Sequence, residues 1–242
     1  MKKTKLFGLG ISLLVTSASI AQPTMIKDIN SGTGNSSPTE IVVTGTLAFF
    51  AADDGINGSQ LWKTDKTTGG TESVKTINPN GSAQISNIVA LGNEVFFEAT
   101  NGVDGRELWK SDGTVVGTVM VKDIRPGSIS SGITNMIAMG SNVYFAASEG
   151  TNGIELWKSD GTTAGTVMVK DINPSGNGIN YDFFRAVMGG ELFFAAYTSA
   201  AGVELWKTDG TDAGTVIVKD IEAGSSGTYP RGFKTVGSTV FF

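Results

Sequence analysis

The stretch Glu155-Leu156-Trp157-Lys158-Ser159-Asp160-Gly161-Thr162 decides the fold of this 242-residue chain, because the chain repeats it. Equivalent stretches begin at Gln60, Glu107 and Glu204, and successive tryptophans lie 47, 48 and 49 residues apart. A repeat of this length is one supersecondary unit that must bury its apolar face against its neighbours. The period therefore predicts a stack of similar units, and it specifies no activity.

Each repeat contains four predicted strands. In the third copy they cover residues 133–139, 142–147, 155–160 and 166–172, each bounded by Gly, Asn, Ser or Asp. The second strand carries large apolar side chains on both faces, as in Val143-Tyr144-Phe145, whereas a sheet with one solvated face would alternate. We therefore predict an all-β, β-propeller-like array of four-stranded antiparallel blades. A β-helix coil would be shorter than this repeat, and an immunoglobulin-like domain would be longer.

The turn after each tryptophan strand has its own chemistry. We expect Asp112 to accept hydrogen bonds from the amides that follow it, while Gly113 and Gly117 adopt positive φ. The first copy has Lys66 in place of the first glycine, which predicts a different turn or left-handed strain of about 1 kcal/mol. The structural residues that we predict for the repeat are Trp62, Trp109, Trp157, Trp206, Asp112, Gly113, Asp160, Gly161, Asp209 and Gly210.

These residues resemble the ELWxxDGT repeat of secreted bacterial proteins. The motif is complete at 107–114, 155–162 and 204–211, degraded at 60–67, and followed by Val-Lys-Asp-Ile at 121–124, 169–172 and 218–221. The resemblance implies propeller-like repeat domains on exported proteins, many of which end in a C-terminal sorting or anchoring region. It implies no general activity.

The beginning of the chain predicts export. Lys2, Lys3 and Lys5 precede an apolar stretch at 6–15 and a run of small residues ending at Ala21, which is typical of a cleaved secretory signal. The apolar stretch is about half of the roughly 20 residues that a membrane-spanning helix needs. We expect a signal peptide at 1–21 and a secreted or cell-surface repeat domain at 22–242, without membrane insertion after cleavage. The predicted repeats cover roughly 30–77, 78–124, 125–172 and 173–221, with a partial repeat at 222–242.

A count of strands predicts an incomplete propeller. Residues 25–29 correspond to a fourth strand, and Val240-Phe241-Phe242 falls in the middle of a second strand. We therefore expect a fragment of a longer chain whose blades form an open arc. The alternative is a five-blade ring with strands from both ends in its last blade, but that blade would lack its tryptophan strand.

Composition excludes several kinds of chemistry. After residue 21 the chain has 15 basic and 23 acidic side chains, a net charge of −8, which opposes binding to nucleic acid. The chain has no cysteine, and therefore no disulfide or thiol nucleophile. It also has no histidine, which removes the commonest general base and every imidazole metal site.

The remaining polar residues of the repeat have ordinary structural explanations. Glu107, Glu155 and Glu204 could be catalytic acids, but an active site is needed once, so we expect ion pairs across strands with Lys122, Lys170 and Lys219, or a position on the rim. Each tryptophan lies in an apolar strand, which favours core packing over a sugar-stacking platform. No cofactor is expected. Calcium is a weaker possibility, with candidate ligands Asp53, Asn57, Asn101 and Asp104 in the loops between second and third strands.

Two functions remain open from the sequence. The first is an exported, non-catalytic scaffold for adhesion, or for binding a glycan or protein partner at the cell surface. The second is an exported hydrolase or lyase acting on polysaccharide, with acidic loop residues such as Asp53, Asp54 and Asp182 at its site. The absence of histidine and cysteine favours the first, so we expect that the chain is not an enzyme.

Overall fold

The computed structural model describes residues 23–179 and 185–242, and these residues form strands and loops without a helix. The predicted signal peptide at 1–21 lies outside the described residues, and so does Asp182. Within the described ranges, no helix is long and apolar enough to cross a membrane.

Four antiparallel sheets of four strands follow one another along the chain, as the repeat predicts. Blade 1 contains β1 (Thr39–Thr44), β2 (Leu47–Asp53), β3 (Ser59–Thr64) and β4 (Glu72–Lys75). Blade 2 contains β5 (Ser86–Leu91), β6 (Glu94–Ala99), β7 (Glu107–Ser111) and β8 (Val119–Lys122). Blade 3 contains β9 (Thr134–Met139), β10 (Asn142–Ala147), β11 (Glu155–Ser159) and β12 (Val167–Lys170). Blade 4 contains β13 (Arg185–Met188), β14 (Glu191–Thr198), β15 (Gly202–Thr208) and β16 (Val216–Lys219), and a hairpin of β17 (Lys234–Val236) and β18 (Thr239–Phe241) follows.

The blades pack side by side through their broad faces. Strand β1 lies beside β5, β5 lies beside β9, and β13 lies beside β17, so the first strands face a common axis and the fourth strands lie at the periphery. This arrangement confirms the predicted β-propeller-like array. The strand bounds predicted for the third copy agree with β9 to β12 within two residues at each end.

Three of the four indoles lie between their own blade and the blade before it, and Trp62 of blade 1 packs with Phe50, Ala52 and Ile29. Trp109 packs with Phe49, Leu61 and Val74 of blade 1, and Trp157 and Trp206 lie in the equivalent clusters between the later blades. The four tryptophans are only 6–8% exposed. Burial of a side chain of this size is a large share of the stability of each interface. The second strands explain this packing, since their side chains are buried on both faces.

Residues 25–29 do not form the fourth strand that the sequence predicts. No strand pairs with them in the described part of the chain, but they occupy the place that such a strand would take against blade 1. Lys27 Nζ donates to Thr71 O at 2.6 Å, as Lys75 Nζ does to Thr118 O and Lys122 Nζ to Thr166 O at 2.8 Å. Ile29 also packs against Phe50 and Trp62. Residues 25–29 therefore take the position of a fourth strand against blade 1 without forming a strand.

Lysine side chains join neighbouring blades at the periphery. Beyond the set just described, Lys170 Nζ donates to Asp212 O at 3.1 Å, and Lys63 Nζ and Lys158 Nζ donate to Gly113 O and Gly210 O of the next blade. Hydrogen bonds of this kind, made by a charged donor, are stronger than those between neutral groups. Lys63 and Lys158 of the motif therefore connect blades, whereas Lys110 and Lys207 pair with Glu94 and Glu191 of their own blades.

Residues in left-handed conformation connect the blades near the axis. Glu40, Asn87 and Asn135 have φ values of 58°, 55° and 57°, and they lie at equivalent positions on the first strands. Asn87 Oδ1 accepts from Asn135 N at 3.1 Å, and Asn87 Nδ2 donates to Ile133 O at 3.1 Å. Asn tolerates this conformation better than most residues, so the exchange of side-chain bonds between blades carries little strain at these two positions.

Candidate binding face

The two ends of the blades are formed by different sets of loops. Because successive strands of a blade run in opposite directions, the loops between second and third strands share one end with the segments that lead to the next blade. We call this end the long-loop face; it comprises residues 54–58, 76–85, 100–106, 123–133, 148–154, 171–179, 199–201 and 220–233. The opposite end, the turn face, comprises 45–46, 65–71, 92–93, 112–118, 140–141, 160–166, 189–190 and 209–215.

The turn face is built from the Asp-Gly turns. Asp112 Oδ1 accepts from the amide of Thr114 at 2.8 Å and from its hydroxyl at 2.7 Å, and Gly113 has a φ of 88°. The hydroxyl and amide of Thr114 hold the pKa of Asp112 below its ordinary value. The turns at Asp160-Gly161 and Asp209-Gly210 repeat this geometry. These aspartates therefore close turns.

Two expectations about these turns are corrected by the structure. Gly117 does not adopt positive φ; a Cβ at this position would overlap the Asp112 carboxylate, so glycine is required for close approach. Lys66 keeps the turn of the other copies, with a φ of 77°, so the first copy carries left-handed strain in place of a different turn.

The motif glutamates are buried and pair with no lysine, so both the predicted ion pairs and the rim position are wrong. Glu107 is fully buried, and its carboxylate accepts from Ile124 N at 2.8 Å and from Ser131 N at 2.9 Å. Lys122 lies opposite Leu108 in the sheet and shares its face, whereas Glu107 points to the other face. The glutamate therefore fastens the segment that leads to the next blade.

Burial changes the acidity of these glutamates. It raises the pKa of Glu107 from 4.5 to about 7, against the opposing effect of the amides that donate to the carboxylate. The pKa of Glu155 is raised to about 7 for the same reason. A raised pKa suits a catalytic acid, but both side chains have no exposed surface, and so they are out of reach of a substrate.

The candidate calcium ligands are engaged in the loops that contain them. Asp53 Oδ1 accepts from Gly55 N at 2.7 Å, and Asp54 Oδ1 accepts from Asn57 N at 2.9 Å. Asn101 Oδ1 accepts from the amides of Val103 and Asp104, while Asn101 Nδ2 donates to Asp104 Oδ2. In the described ranges, no group of three or more acidic side chains is arranged to hold a metal ion. Calcium binding stays a prediction.

The long-loop face combines a fixed backbone with variable side chains. The main chain is held between loop and connecting segment in each blade, for example by Gly105 N donating to Gly127 O at 3.0 Å and Gly178 N to Ile154 O at 3.1 Å. One position of the connecting segment is left-handed in several copies, and its side chain changes each time. The residues there are Ser37, Gln84, Gly132 and Tyr229, with φ values of 42°, 52°, 66° and 52°.

Two other positions at or beside this face also vary; at the second of them Ser59 and Val203 belong to β3 and β15, and Val203 is buried. The loop tips are Ile56, Val103, Thr151 and Ala200, and the residues before the motif glutamine or glutamates are Ser59, Arg106, Ile154 and Val203. Ile56 and Val103 are 85% and 74% exposed. The sequence did not predict that recurring left-handed backbone positions on this face would carry a different side chain in each copy. Alignment of the four copies could have shown it, because the identical motif residues end where this variation begins.

Comparison with known proteins concerns the fold. The sequence matches no protein-family model and no curated protein. The structure is similar to the acylaminoacyl peptidase of Pyrococcus horikoshii, with 11% identity, a TM-score of 0.47, and coverage of 75% of this chain and 27% of the peptidase. It is also similar to TolB from Acinetobacter baumannii, with 13% identity, a TM-score of 0.44, and coverage of 72% and 41%. The chain thus spans about a quarter of the peptidase and less than half of TolB, and these similarities assign no activity to it.

Proposed function

We propose that the chain is an exported, non-catalytic repeat scaffold of the ELWxxDGT type that binds a glycan or protein partner at the cell surface through its long-loop face. The observation that carries this proposal is the division between the two kinds of position. Residues shared by the copies are used within and between blades, and on the long-loop face backbone positions that recur in several blades carry different side chains. Loops on a rigid scaffold are the usual place for binding residues.

Most of the charged groups shared by the repeats are used in building the scaffold. The aspartates of the Asp-Gly turns close those turns, the glutamates hold the connecting segments, and lysines such as Lys122 join blades. Asp54 accepts two backbone amides, and the amide of Asn57 is the main reason that its pKa is lowered. A carboxylate stabilised in this way is a weak general base. This use of the acidic groups supports binding over catalysis.

An array experiment tests the binding proposal. The purified chain is applied to glycan and protein arrays beside two variants that each lose exposed apolar side chains. One variant carries Ile56→Ser and Val103→Ser on the long-loop face; the control carries Val115→Ser and Val116→Ser on the turn face, where the side chains are 62% and 87% exposed. We expect a ligand whose signal falls in the first variant and persists in the control. Absence of any ligand, or loss in the control alone, would contradict the proposal.

Two further measurements address export and catalysis. Mass spectrometry of the chain recovered from expressing cells is expected to show a mature protein that begins at Gln22, and a protein that retains residues 1–21 would argue against export. Polysaccharide turnover by the purified chain, abolished by Asp53→Asn, Asp54→Asn or Asp182→Asn, would favour the hydrolase or lyase instead.

A further inference from the structure

A polar pocket of about 280 Å³ opens on the long-loop face of blade 2. Its lining includes side chains from the β6–β7 loop and from the segments on either side of the blade. Those used below are Gln84, Asp104, Arg106 and Ser128. The volume lies near the lower end of the range for small-molecule sites, which suits a ligand of about one sugar ring.

The pocket contains an arginine that the other blades lack. Arg106 occupies the position of Ser59, Ile154 and Val203, and its side chain is 37% exposed. Since the other three blades form the same four-stranded sheet with serine, isoleucine or valine at this position, the fold does not require a guanidinium here. Residues found in one copy alone are better candidates for a specific function than residues found in all four.

A buried carboxylate, also found in one copy alone, positions this arginine. Glu98 replaces the alanine of the other three blades and is 1% exposed. Its Oε2 accepts from Ser86 Oγ at 2.8 Å and lies 3.4 Å from Arg106 Nη1. Burying a carboxylate opposes folding unless a partner compensates it, and alanine would avoid the penalty. Glu98 is therefore explained by its contact with Arg106.

Glu98 itself is not among the residues that line the pocket. Arg106 Nη1 lies 3.4 Å from its carboxylate, and the other N–H groups of the guanidinium are available to the pocket.

The groups that face the pocket are balanced in charge. Asp104 contributes a carboxylate beside Arg106, and its Oδ2 accepts from Asn101 Nδ2 at 2.9 Å. The Gln84 amide and the Ser128 hydroxyl are exposed, and neither forms a hydrogen bond with the described residues. Together the pocket offers donors from Arg106, acceptors from Asp104, and groups of both kinds from Gln84 and Ser128. An anionic ligand would meet Asp104, whereas neutral hydroxyl groups can use every partner.

We infer that this pocket binds a neutral hexose unit of a glycan, with Arg106 and Asp104 binding its hydroxyl groups and Glu98 positioning Arg106. The inference rests on the proposed binding function and specifies one site and one ligand class for it.

Nuclear magnetic resonance titration tests the inference. The ¹⁵N-labelled chain is titrated with glucose, galactose, mannose and N-acetylglucosamine, and with glucuronate as the anionic comparison. We expect at least one neutral sugar to shift the amide signals of Gln84, Arg106 and Ser128. Arg106→Ser, which introduces the residue of blade 1, should weaken its affinity at least tenfold. The control Arg125→Asn removes an arginine of the same face but outside the pocket, and introduces the residue found at 78 and 173; it should leave the affinity within twofold.

The double variant separates positioning from a structural effect of Glu98. Glu98→Ala should weaken sugar binding, and combining it with Arg106→Ser should weaken binding no further than Arg106→Ser alone. Additive losses, tighter binding of glucuronate, or sugar-induced shifts confined to other loops would overturn the inference. If an array ligand binds Arg106→Ser as well as the parent chain, the pocket is not the site, while the proposed binding function stands. If the arrays and the titration both show no ligand, both proposals fail.

Discussion

Replacing the buried Glu107 of blade 2 by glutamine, the residue type found at the equivalent position of blade 1, should change the pH dependence of stability. The motif carries Glu107 in blade 2 and Gln60 in blade 1, and both side chains accept from the segment that leads to the next blade. Glu107→Gln should fold, because Ser131 N also donates to Arg106 O at 3.2 Å and keeps that acceptor when the Glu107 oxygen is replaced. The variant removes one buried titrating group from the chain.

The magnitude follows from the acidity of Glu107. A pKa raised from 4.5 to about 7 corresponds to roughly 3 kcal/mol. Below about pH 4.5 the carboxyl is protonated in the folded and unfolded chain alike, so its stabilising contribution is fully present. Between about pH 4.5 and pH 7 the carboxyl ionises in the unfolded chain but stays protonated in the folded chain, so the unfolded chain binds fewer protons and is increasingly favoured as the pH rises. The contribution of Glu107 is therefore lost as the pH rises through the folded pKa.

Urea denaturation followed by tryptophan fluorescence measures the effect. From pH 4 to pH 8.5, the free energy of unfolding of Glu107→Gln relative to the parent should rise by roughly 3 kcal/mol. Glu222→Gln, a change at an exposed residue, is the control and should show no such trend. A difference between Glu107→Gln and the parent that stays constant over this range would refute the reasoning.

The reverse exchange is expected to be harmful. Gln60 Nε2 donates to the carbonyl oxygens of Asn57 at 2.8 Å, Asn78 at 3.0 Å and Gly81 at 2.8 Å. Gln60→Glu would place a carboxylate oxygen against these three acceptors, at a cost of about 3 kcal/mol or more at neutral pH. A urea midpoint equal to that of the parent at pH 7 would show that the two sites are interchangeable.

Three further changes test the scaffold, each by urea or thermal unfolding. Lys66→Gly should stabilise the chain by up to about 1 kcal/mol, because glycine relieves the left-handed strain. Gly165→Ala should destabilise it, since the new methyl group would overlap the Asp160 carboxylate. Trp157→Ala should cost about 3–5 kcal/mol by opening a cavity between blades 2 and 3, while Trp157→Phe should cost less.

Each of these results can contradict the structural interpretation. A destabilising Lys66→Gly would mean that the lysine side chain contributes more than its backbone strain costs. A neutral Gly165→Ala would show that the turn can move away from the carboxylate. Equal effects of alanine and phenylalanine at Trp157 would place the indole outside the interface.

The repeat architecture was predictable because its signals lie in local patterns. The period predicted the succession of blades, the short β-branched or aromatic runs between turn residues predicted their strands, and the apolar second strands predicted sheets buried on both faces. The roles of the glutamates and lysines were not predictable in this way. Their pairing depends on the register of β7 with β8, where an irregularity lies between Leu108 and Trp109, and no residue pattern signals that irregularity.

The candidate site could be predicted from the sequence only in part. Arg106 and Glu98 could be recognised as departures from the repeat, but their proximity depends on how the β6–β7 loop returns over the blade. The left-handed position of Gln84 was hidden for another reason. Glycine marks such a position in one copy alone, at Gly132, and the other side chains there give no signal of positive φ.

The hydrogen bonds that lysine side chains form between neighbouring blades bear on the order in which the chain can fold. They join residues that lie 42 to 52 positions apart, so each one forms as soon as the next blade is available. Each of these five hydrogen bonds joins two blades that are neighbours in the sequence. Folding can therefore advance blade by blade from the N-terminus during synthesis, with every completed interface serving as the template for the next.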